Sequence, residues 1–289
     1  MTAETETPMG AAPSEPNAKS AVIAGEGILP VEIARRLAAR GLAPLVLTLR
    51  SDTEVFQDIA DPLVRLRCPS LGRVIREVRK HGAQSVIMAG RVPKKLIFKK
   101  LIFLPALFDP LTLRLLARSA RDDHSLLGSV VSILESEGIT VLPYWHILPE
   151  FLAPEGQLGH RRPTEGERRD FECGAAVLKV TLPCSFGQAL VVADRAVVAV
   201  EAMEGTDATV ERAGKLAAKG VLVKMMRVDQ DPRYDLPTIG PRTIENMARA
   251  GLTCLAVEAR RTLIVDAEKT FALAERHNIA IWGLPCQCL

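Results

Sequence analysis

The chain has 289 residues, of which 48% are hydrophobic and 4% aromatic, and its net charge is +3 from 37 basic and 34 acidic residues. This length suggests two domains, and the shortage of aromatic residues predicts cores of Ala, Val, Leu and Ile, as in α/β proteins. So small an excess of positive charge argues against a dedicated nucleic-acid-binding protein.

The six cysteines lack the paired Cys-x-x-Cys spacing of a zinc site. No apolar stretch follows a basic N-terminus as it would in a signal peptide, and no uninterrupted apolar run reaches the length of a membrane span. These features fit a cytoplasmic protein with reduced thiols.

The first half of the chain predicts one α/β domain. Residues 1–20 are rich in Thr, Glu, Pro and Ala without apolar periodicity, so we expect a disordered tail. After the tail, apolar strands alternate with helices of 3.6-residue periodicity. The strands are predicted at 21–24, 44–49, 85–89 and 139–144, and the helices at 31–38, 71–80 and 122–137. This order predicts a doubly wound, mostly parallel, Rossmann-like sheet over residues 21–150.

The second half predicts another α/β domain. Residues 151–169 are rich in Pro, Gly and charged residues, which we interpret as a linker. Residues 170–289 start with two Val- and Ala-rich strands around Asp194-Arg195, a hairpin pattern. The predicted strands are 188–193, 196–202, 221–226, 253–258, 262–265 and 279–283, and the helices are 207–219, 243–250 and 267–277. This order predicts a C-terminal α/β domain with a mixed sheet.

The first glycine turn, Gly25 to Pro30, offers backbone amides and a helix N-terminus that suit a phosphate or a ribose. Any doubly wound fold needs such a tight turn, so the residues alone leave a binding role open. Pro30 occupies the third glycine position of G-x-G-x-x-G and excludes a dinucleotide fingerprint.

Two further motifs each have two interpretations. The segment Lys94–Leu104 interleaves lysines with Phe, Ile and Leu, which suits contact with anionic lipid, although a buried helix with a solvated lysine face would look similar. Pro93 and Pro105 favour a short loop, and thus lipid or acyl contact. Asp122-Asp123 opens a helix, where capping accounts for one carboxylate and a functional role is open for the other.

The densest group of polar residues lies between Gln188 and Gly240. Carboxylates from Glu201 to Asp207 can hold Mg²⁺, while Lys224 and Arg233 can neutralise phosphate oxygens. A charged surface loop with salt-bridged neighbours is the alternative. Asp235, between two bulky residues and before a proline, indicates a fixed loop and favours function.

Together, these segments resemble the bacterial UDP-2,3-diacylglucosamine pyrophosphatases of the LpxI type over residues 21–283. The strings AVEAMEGTD (199–207) and DLPTIG (235–240), in this order and spacing, are the specific motifs. The chain departs from the family pattern at Glu26, where glycine is frequent, and at Arg227-Val228, where Lys-Pro is frequent.

The resemblance implies Mg²⁺-dependent hydrolysis of UDP-2,3-diacylglucosamine to UMP and 2,3-diacylglucosamine 1-phosphate (lipid X), a step of lipid A biosynthesis. It implies that Asp235 is catalytic, as a metal ligand or by orienting water, with Asp207 as another metal ligand. The implied substrate-binding residues are Gly25, Leu29, Gly90, Asp123, Gln188, Glu204, Gly205, Thr206, Asp207, Lys224, Arg233 and Thr238.

The resemblance also implies an active site between the two domains, a homodimer, and peripheral attachment to the inner face of the cytoplasmic membrane. Two other functions stay open at this point. A non-catalytic lipid- or nucleotide-sugar-binding protein would use the basic segment at a membrane surface. Another nucleotide-sugar enzyme would need a nicotinamide fingerprint or a Tyr/Lys pair, and neither Tyr144 nor Tyr234 has a suitably spaced lysine.

Overall fold

The computed structural model describes residues 20–66, 68, 70–91, 109–118, 123–184, 187–227 and 230–286. The predictions for the N-terminal tail, for Asp122 and for the segment Lys94–Leu104 lie outside these residues. The chain divides into two compact units. Of the described residues, the N-terminal unit contains those up to Leu148 and also Asp231–Asp235, and the C-terminal unit contains Pro149–Gln230 and those from Leu236 onward.

The N-terminal unit is built on a five-stranded sheet in the order β3-β2-β1-β4-β5. Its strands are β1 Ser20–Ala24, β2 Leu45–Thr48, β3 Leu63–Arg65, β4 Ser85–Ala89 and β5 Thr140–Leu142, and its helices are α1 Leu29–Ala39, α2 Leu71–Lys80, α3 Pro110–Arg118 and α4 Asp123–Ser136. All neighbouring strands pair in parallel, which confirms the predicted α/β fold. The chain order reverses at β1, so the carboxyl ends of β1 and β4 flank a topological switch point.

Apolar periodicity explains how the helices cover this sheet. Ile33 and Leu37 of α1 and Val78 of α2 are completely buried, as are Val22 and Val86 in the central strands. A strand that is buried on both faces requires a nearly continuous apolar run, and β1 and β4 have one.

The C-terminal unit contains a six-stranded sheet in the order β6-β13-β11-β9-β7-β8 and a two-stranded sheet of β10 and β12. The strands are β6 Gly156–Gln157, β7 Ala189–Ala193, β8 Ala196–Val200, β9 Val221–Lys224, β10 Thr238–Ile239, β11 Cys254–Glu258, β12 Leu263–Ile264 and β13 Ala280–Leu284, and the helices are α5 Glu165–Thr181, α6 Thr206–Leu216, α7 Pro241–Arg249 and α8 Ala267–Arg276.

The large sheet of the C-terminal unit is mixed, as predicted. Strands β9, β11 and β13 run parallel, whereas β6, β7 and β8 pair antiparallel with their neighbours. Asp194 and Arg195 both have positive φ, 49° and 63°, and form the two-residue turn of the predicted hairpin.

Residues 151–169 differ from the predicted linker. Ala153 is completely buried in the core of the C-terminal unit, and Gly156–Gln157 pairs with β13. Thr164 caps α5 and forms a capping box with Glu167. The Pro, Gly and charged residues of this segment therefore serve turns, an edge strand and a helix cap, a composition that sequence alone does not distinguish from that of a linker.

No helix within the described residues is long and apolar enough to cross a membrane.

Candidate functional site

Several predicted site residues meet where β8 and β9 end and β7 begins in the C-terminal sheet. The last residue of β9, Lys224, pairs with Ala189 at the start of β7. The next residue after β8, Glu201, donates its backbone N–H to the carbonyl of Ala189 at 2.9 Å. The strand register thus brings together a group that we call the corner, which consists of Gln188, Glu201, Thr206, Lys224 and Thr238.

A chain of hydrogen bonds runs through the corner. The Nζ of Lys224 lies 3.4 Å from the hydroxyl oxygen of Thr206 and 3.2 Å from the carbonyl oxygen of Thr238. Thr206 donates its hydroxyl to Glu201 Oε1 at 2.9 Å, and Glu201 Oε2 accepts the backbone N–H of Gln188 at 3.2 Å. Lys224 and Glu201 are both buried, with 7% of each residue exposed.

Helix α6 begins at the corner. Its N-cap is Gly205, which has a φ of 82°, and no side chain among the described residues caps its first turn. The first amides of a helix carry a partial positive charge and bind phosphate well. Together with the ammonium group of Lys224, they suit an anionic ligand.

The carboxylates of Glu204 and Asp207 are engaged away from Lys224. Glu204 accepts hydrogen bonds from Arg212 at 2.7 Å and from the Ala202 amide at 3.2 Å. Asp207 accepts bonds from Arg242 and Asn246 of α7. Each of these carboxylates is therefore paired with a guanidinium group and not with Lys224.

The described residues also contain no group of three or more His, Cys, Asp or Glu side chains that could hold a metal ion. Magnesium is often held by one or two carboxylates together with substrate phosphates, so the predicted magnesium site stays a prediction. We derive no reaction step through a metal.

Asp235 lies on a loop whose first part, Asp231–Asp235, groups with the N-terminal unit. The Asp235 N–H donates to the carbonyl of Asp231 at 3.1 Å, which closes a turn. Arg233 binds the Asp231 carboxylate through two nitrogens and also contacts Glu135 of α4. These carboxylates raise the pKa of Arg233. Its guanidinium holds the loop in place, and its predicted contact with substrate remains a prediction.

Tyr234 anchors the same loop by packing against the hydrophobic core of the N-terminal unit. Burial, followed by the charge of Asp231, raises the pKa of Tyr234 to about 12. The half-buried Asp235 therefore follows a tyrosine that is fixed in an apolar core.

The base of the loop depends on two buried residues that the sequence did not single out. Glu258 ends β11 with 3% of the residue exposed, and its Oε2 accepts the Met226 N–H at 2.9 Å. The side chain of Gln230 accepts the Arg227 N–H at 2.7 Å. Burial raises the pKa of Glu258, although the Met226 amide and Arg261 act in the opposite direction. The sequence signal for Glu258 was an acidic residue at the carboxyl end of an otherwise apolar parallel strand, where ligands bind in such sheets.

Gly25 and Gly90 follow β1 and β4 at the switch point of the N-terminal sheet. A Cβ on Gly25 would lie 2.7 Å from the carbonyl carbon of Gly90, and a Cβ on Gly90 would lie 2.6 Å from the Glu26 carbonyl oxygen. The Gly25 N–H also donates to the Ala89 carbonyl at 2.8 Å. The close approach of the two turns explains both glycines, and their binding role remains a prediction.

Two other predicted residues belong to the N-terminal unit. Leu29 is the first residue of α1 and is half-buried, and Asp123 is the first residue of α4.

The fold defines a two-domain α/β protein, in which the corner brings Lys224 beside the N-terminus of α6. Residues 19–151 match the LpxI N-terminal domain, and residues 154–282 match the LpxI C-terminal domain. A relative from Caulobacter vibrioides, UDP-2,3-diacylglucosamine pyrophosphatase LpxI, is 32% identical over 282 residues, covering 93% of this chain and 98% of the relative. The chain belongs to the LpxI family.

These matches correct the function predicted from the sequence. The alternative of a non-catalytic binding protein is overturned, because a relative that is similar over nearly its whole length is a pyrophosphatase. The matches support the lipid A step but do not show a magnesium requirement, which is left out of the stated function and stays a prediction.

Proposed function

We propose that the chain hydrolyses the diphosphate bond of UDP-2,3-diacylglucosamine in lipid A biosynthesis. The observation that carries this proposal is the 32% identity to a UDP-2,3-diacylglucosamine pyrophosphatase across nearly the whole of both chains. Water adds to one phosphorus and the bridging oxygen leaves with the other. The products are therefore UMP and 2,3-diacylglucosamine 1-phosphate.

The corner supports this proposal because its chemistry suits a diphosphate. Lys224 and the uncapped amides of α6 supply positive charge where phosphoryl oxygens need it. The buried Oε1 of Gln188 has no hydrogen-bond partner within the described chain, so it is available to a donor on the substrate. Gln188, Gly205, Thr206, Lys224 and Thr238 are the proposed contacts in this unit.

We assign catalysis to Asp235, on its motif DLPTIG and on a loop that Arg233 and Tyr234 hold in a defined turn. A carboxylate on a fixed loop can orient a water molecule or accept its proton. The N-terminal residues Gly25, Leu29, Gly90 and Asp123 remain proposed substrate contacts.

The test is release of UMP from UDP-2,3-diacylglucosamine by the full chain and by Asp235→Asn. We expect the variant to lose at least about 100-fold in rate, the typical minimum for a general base or acid, while its circular dichroism and melting temperature stay unchanged. Asp58→Asn, in an exposed turn of the N-terminal unit, is the matched control and should retain full activity. No release by the wild type would overturn the proposed function, and full activity in Asp235→Asn would overturn the assignment of Asp235.

The same assay tests the magnesium prediction. Parallel reactions contain added Mg²⁺, EDTA, or EDTA followed by excess Mg²⁺. Loss of activity in EDTA that Mg²⁺ restores would support a metal requirement, and equal activity in all three would refute it.

Membrane association and dimerisation are also proposed. A substrate with two acyl chains partitions into a lipid surface, which supports peripheral attachment to the inner face of the cytoplasmic membrane. Flotation with anionic and neutral vesicles tests the attachment, and sedimentation velocity tests the dimer. Failure to float with either vesicle, or a single monomeric boundary, would refute the respective proposal.

A further inference from the structure

Glu201 is buried at a position where a glutamate would normally be solvated. It directly follows β8, the edge strand of the C-terminal sheet, yet only 7% of the residue is exposed. Burial of a carboxylate is costly unless hydrogen bonds compensate for the lost water. Both of its oxygens have such bonds, from the Gln188 amide at 3.2 Å and from the Thr206 hydroxyl at 2.9 Å.

The backbone around Glu201 leaves its side chain little freedom to move. Its N–H donates to the Ala189 carbonyl at 2.9 Å, which extends the pairing of β7 with β8 by one residue. A Cβ on Gly187 would lie 2.1 Å from the Glu201 carbonyl oxygen, so no other residue fits at position 187. The chain before β7 therefore lies directly against Glu201.

Thr206 connects Glu201 to the positive charge of the corner. Its hydroxyl has one proton, which it donates to Glu201, and the hydroxyl oxygen then faces the Nζ of Lys224 at 3.4 Å as an acceptor. Thr206 is also the first residue of α6, so the same contact fixes the uncapped helix N-terminus. Without the carboxylate, the Thr206 hydroxyl would lose the acceptor of its proton, and its oxygen would no longer be held in this orientation toward Lys224.

We propose that Glu201 is a positioning residue that, through Thr206, sets Lys224 and the first amides of α6 for binding of a substrate phosphate group. The identity of this substrate rests on the proposed function. Glu201 itself repels phosphate, so its effect on binding is indirect. It differs in this from Glu204, which binds Arg212 and the Ala202 amide.

Glu201→Gln removes this arrangement with little change in volume. A carboxylate accepts two hydrogen bonds, whereas a glutamine amide accepts at one end and donates at the other. The two donors face different oxygens of Glu201, so in the glutamine variant either the Gln188 N–H or the Thr206 hydroxyl faces an NH₂ group instead of an acceptor. Hydrogen bonds to charged groups contribute enough that we expect roughly 10- to 100-fold weaker binding of a phosphate ligand.

The experiment measures the dissociation constant for UMP by calorimetry and kcat/KM for UMP release, with melting temperatures as a record of folding. The variants are Glu201→Gln, Thr206→Val and their combination. Glu211→Gln is the matched control, since Glu211 is exposed on α6 and pairs with Lys215. We expect Glu201→Gln and Thr206→Val each to weaken UMP binding at least 10-fold. The double variant should bind UMP with about the same affinity as the single variant that binds it less tightly, because both changes break the same contact.

A structural role alone would lower the melting temperature without changing the affinity of the folded protein for UMP. Unchanged UMP binding by folded Glu201→Gln, or fully additive losses in the double variant, would overturn the proposal. If Glu201→Gln does not fold, Thr206→Ser and Thr206→Val provide the test, because serine keeps the hydroxyl and should bind UMP like the wild type, whereas valine should bind it at least 10-fold more weakly. A wild type that does not bind UMP also overturns it, whereas UMP binding without hydrolysis would overturn only the proposed function.

Discussion

At the residue scale, two carboxylates of the C-terminal unit show how neighbours decide the effect of burial. Burial raises the pKa of Glu258, and the Met226 amide and Arg261 oppose it only in part. Burial also acts to raise the pKa of Glu167, but hydrogen bonds from Arg161 and Thr253 outweigh it, so that pKa is lowered. Glu258 therefore carries a cost of ionisation in the folded state, whereas Glu167 is stabilised as an anion.

Glu258→Gln should consequently change the pH dependence of stability. A raised folded pKa gives stability that is fully present below the unfolded value, near 4.5, and is lost as pH rises through the folded pKa. We expect the free energy of unfolding of Glu258→Gln, relative to the wild type, to increase between pH 4 and pH 8. Urea denaturation at several pH values measures this difference.

Glu167→Gln serves as a control of opposite sign. The lowered pKa of Glu167 means stability that is present above 4.5 and lost as pH falls through the folded pKa. Its deficit relative to the wild type should be largest at neutral pH and shrink in acid. If both variants followed the same trend with pH, the two pKa directions would be wrong.

Sequence reasoning located the motifs of the site better than the contacts of its residues. Glu204 and Asp207 belong to the motif that reaches the corner, but their carboxylates bind Arg212 and Arg242. The neighbouring Glu201 is the carboxylate that takes part in the corner. Which acid of such a string turns inward depends on strand register and on Gly187, and neither can be deduced from composition.

At the element scale, the regular α/β alternation was predictable, and α2 and β4 have the predicted bounds. Helix α5 was not predicted, although it has 17 residues. Its first turns are highly charged, and Gly174 interrupts the apolar periodicity that would have indicated a helix. The structure explains that glycine, since a Cβ there would lie 2.6 Å from Val223 of β9.

Gly174→Ala should therefore destabilise the protein in spite of the better helix propensity of alanine. The added methyl would also lie 3.1 Å from Leu190 and Val192, so α5 would have to move away from the sheet. We expect a loss of about 1–3 kcal/mol in the free energy of unfolding, the usual effect of overpacking. Chemical denaturation measures it.

Gly166→Ala is the matched control in the same helix. Its nearest neighbour would be the Thr164 hydroxyl oxygen at 3.9 Å, an ordinary contact. Alanine there should leave stability unchanged or raise it by up to about 1 kcal/mol. If the two substitutions changed the free energy of unfolding equally, the close approach of α5 to β9 at Gly174 would not be the cause of the predicted loss.

At the scale of the whole molecule, the two units are not two successive halves of the chain. Asp231–Asp235 lies far along the sequence, within the range of the LpxI C-terminal domain, but groups with the N-terminal unit. Tyr234 packs against the core formed by β1, β4, α2 and α4, and Arg233 pairs with Glu135. Sequence patterns did not predict this, because the loop has no periodicity that would identify its partner.

Because Tyr234 packs against the N-terminal core, Tyr234→Ala should destabilise the N-terminal unit and not the C-terminal unit. Removal of a half-buried aromatic ring should cost about 2 kcal/mol, less than for a fully buried one, and the cost should fall on the N-terminal unit. By hydrogen exchange, we expect the amides of β1 and β4 to exchange roughly 30-fold faster, which corresponds to about 2 kcal/mol. The amides of β9 and β11 should keep their rates, and Tyr234→Phe, which retains the ring, should behave like the wild type. Equally faster exchange in β9 and β11 would contradict the assignment of Tyr234 to the N-terminal unit, because the ring would then stabilise the whole chain. Unchanged exchange in β1 and β4 would contradict it as well, because the ring would then not stabilise that unit.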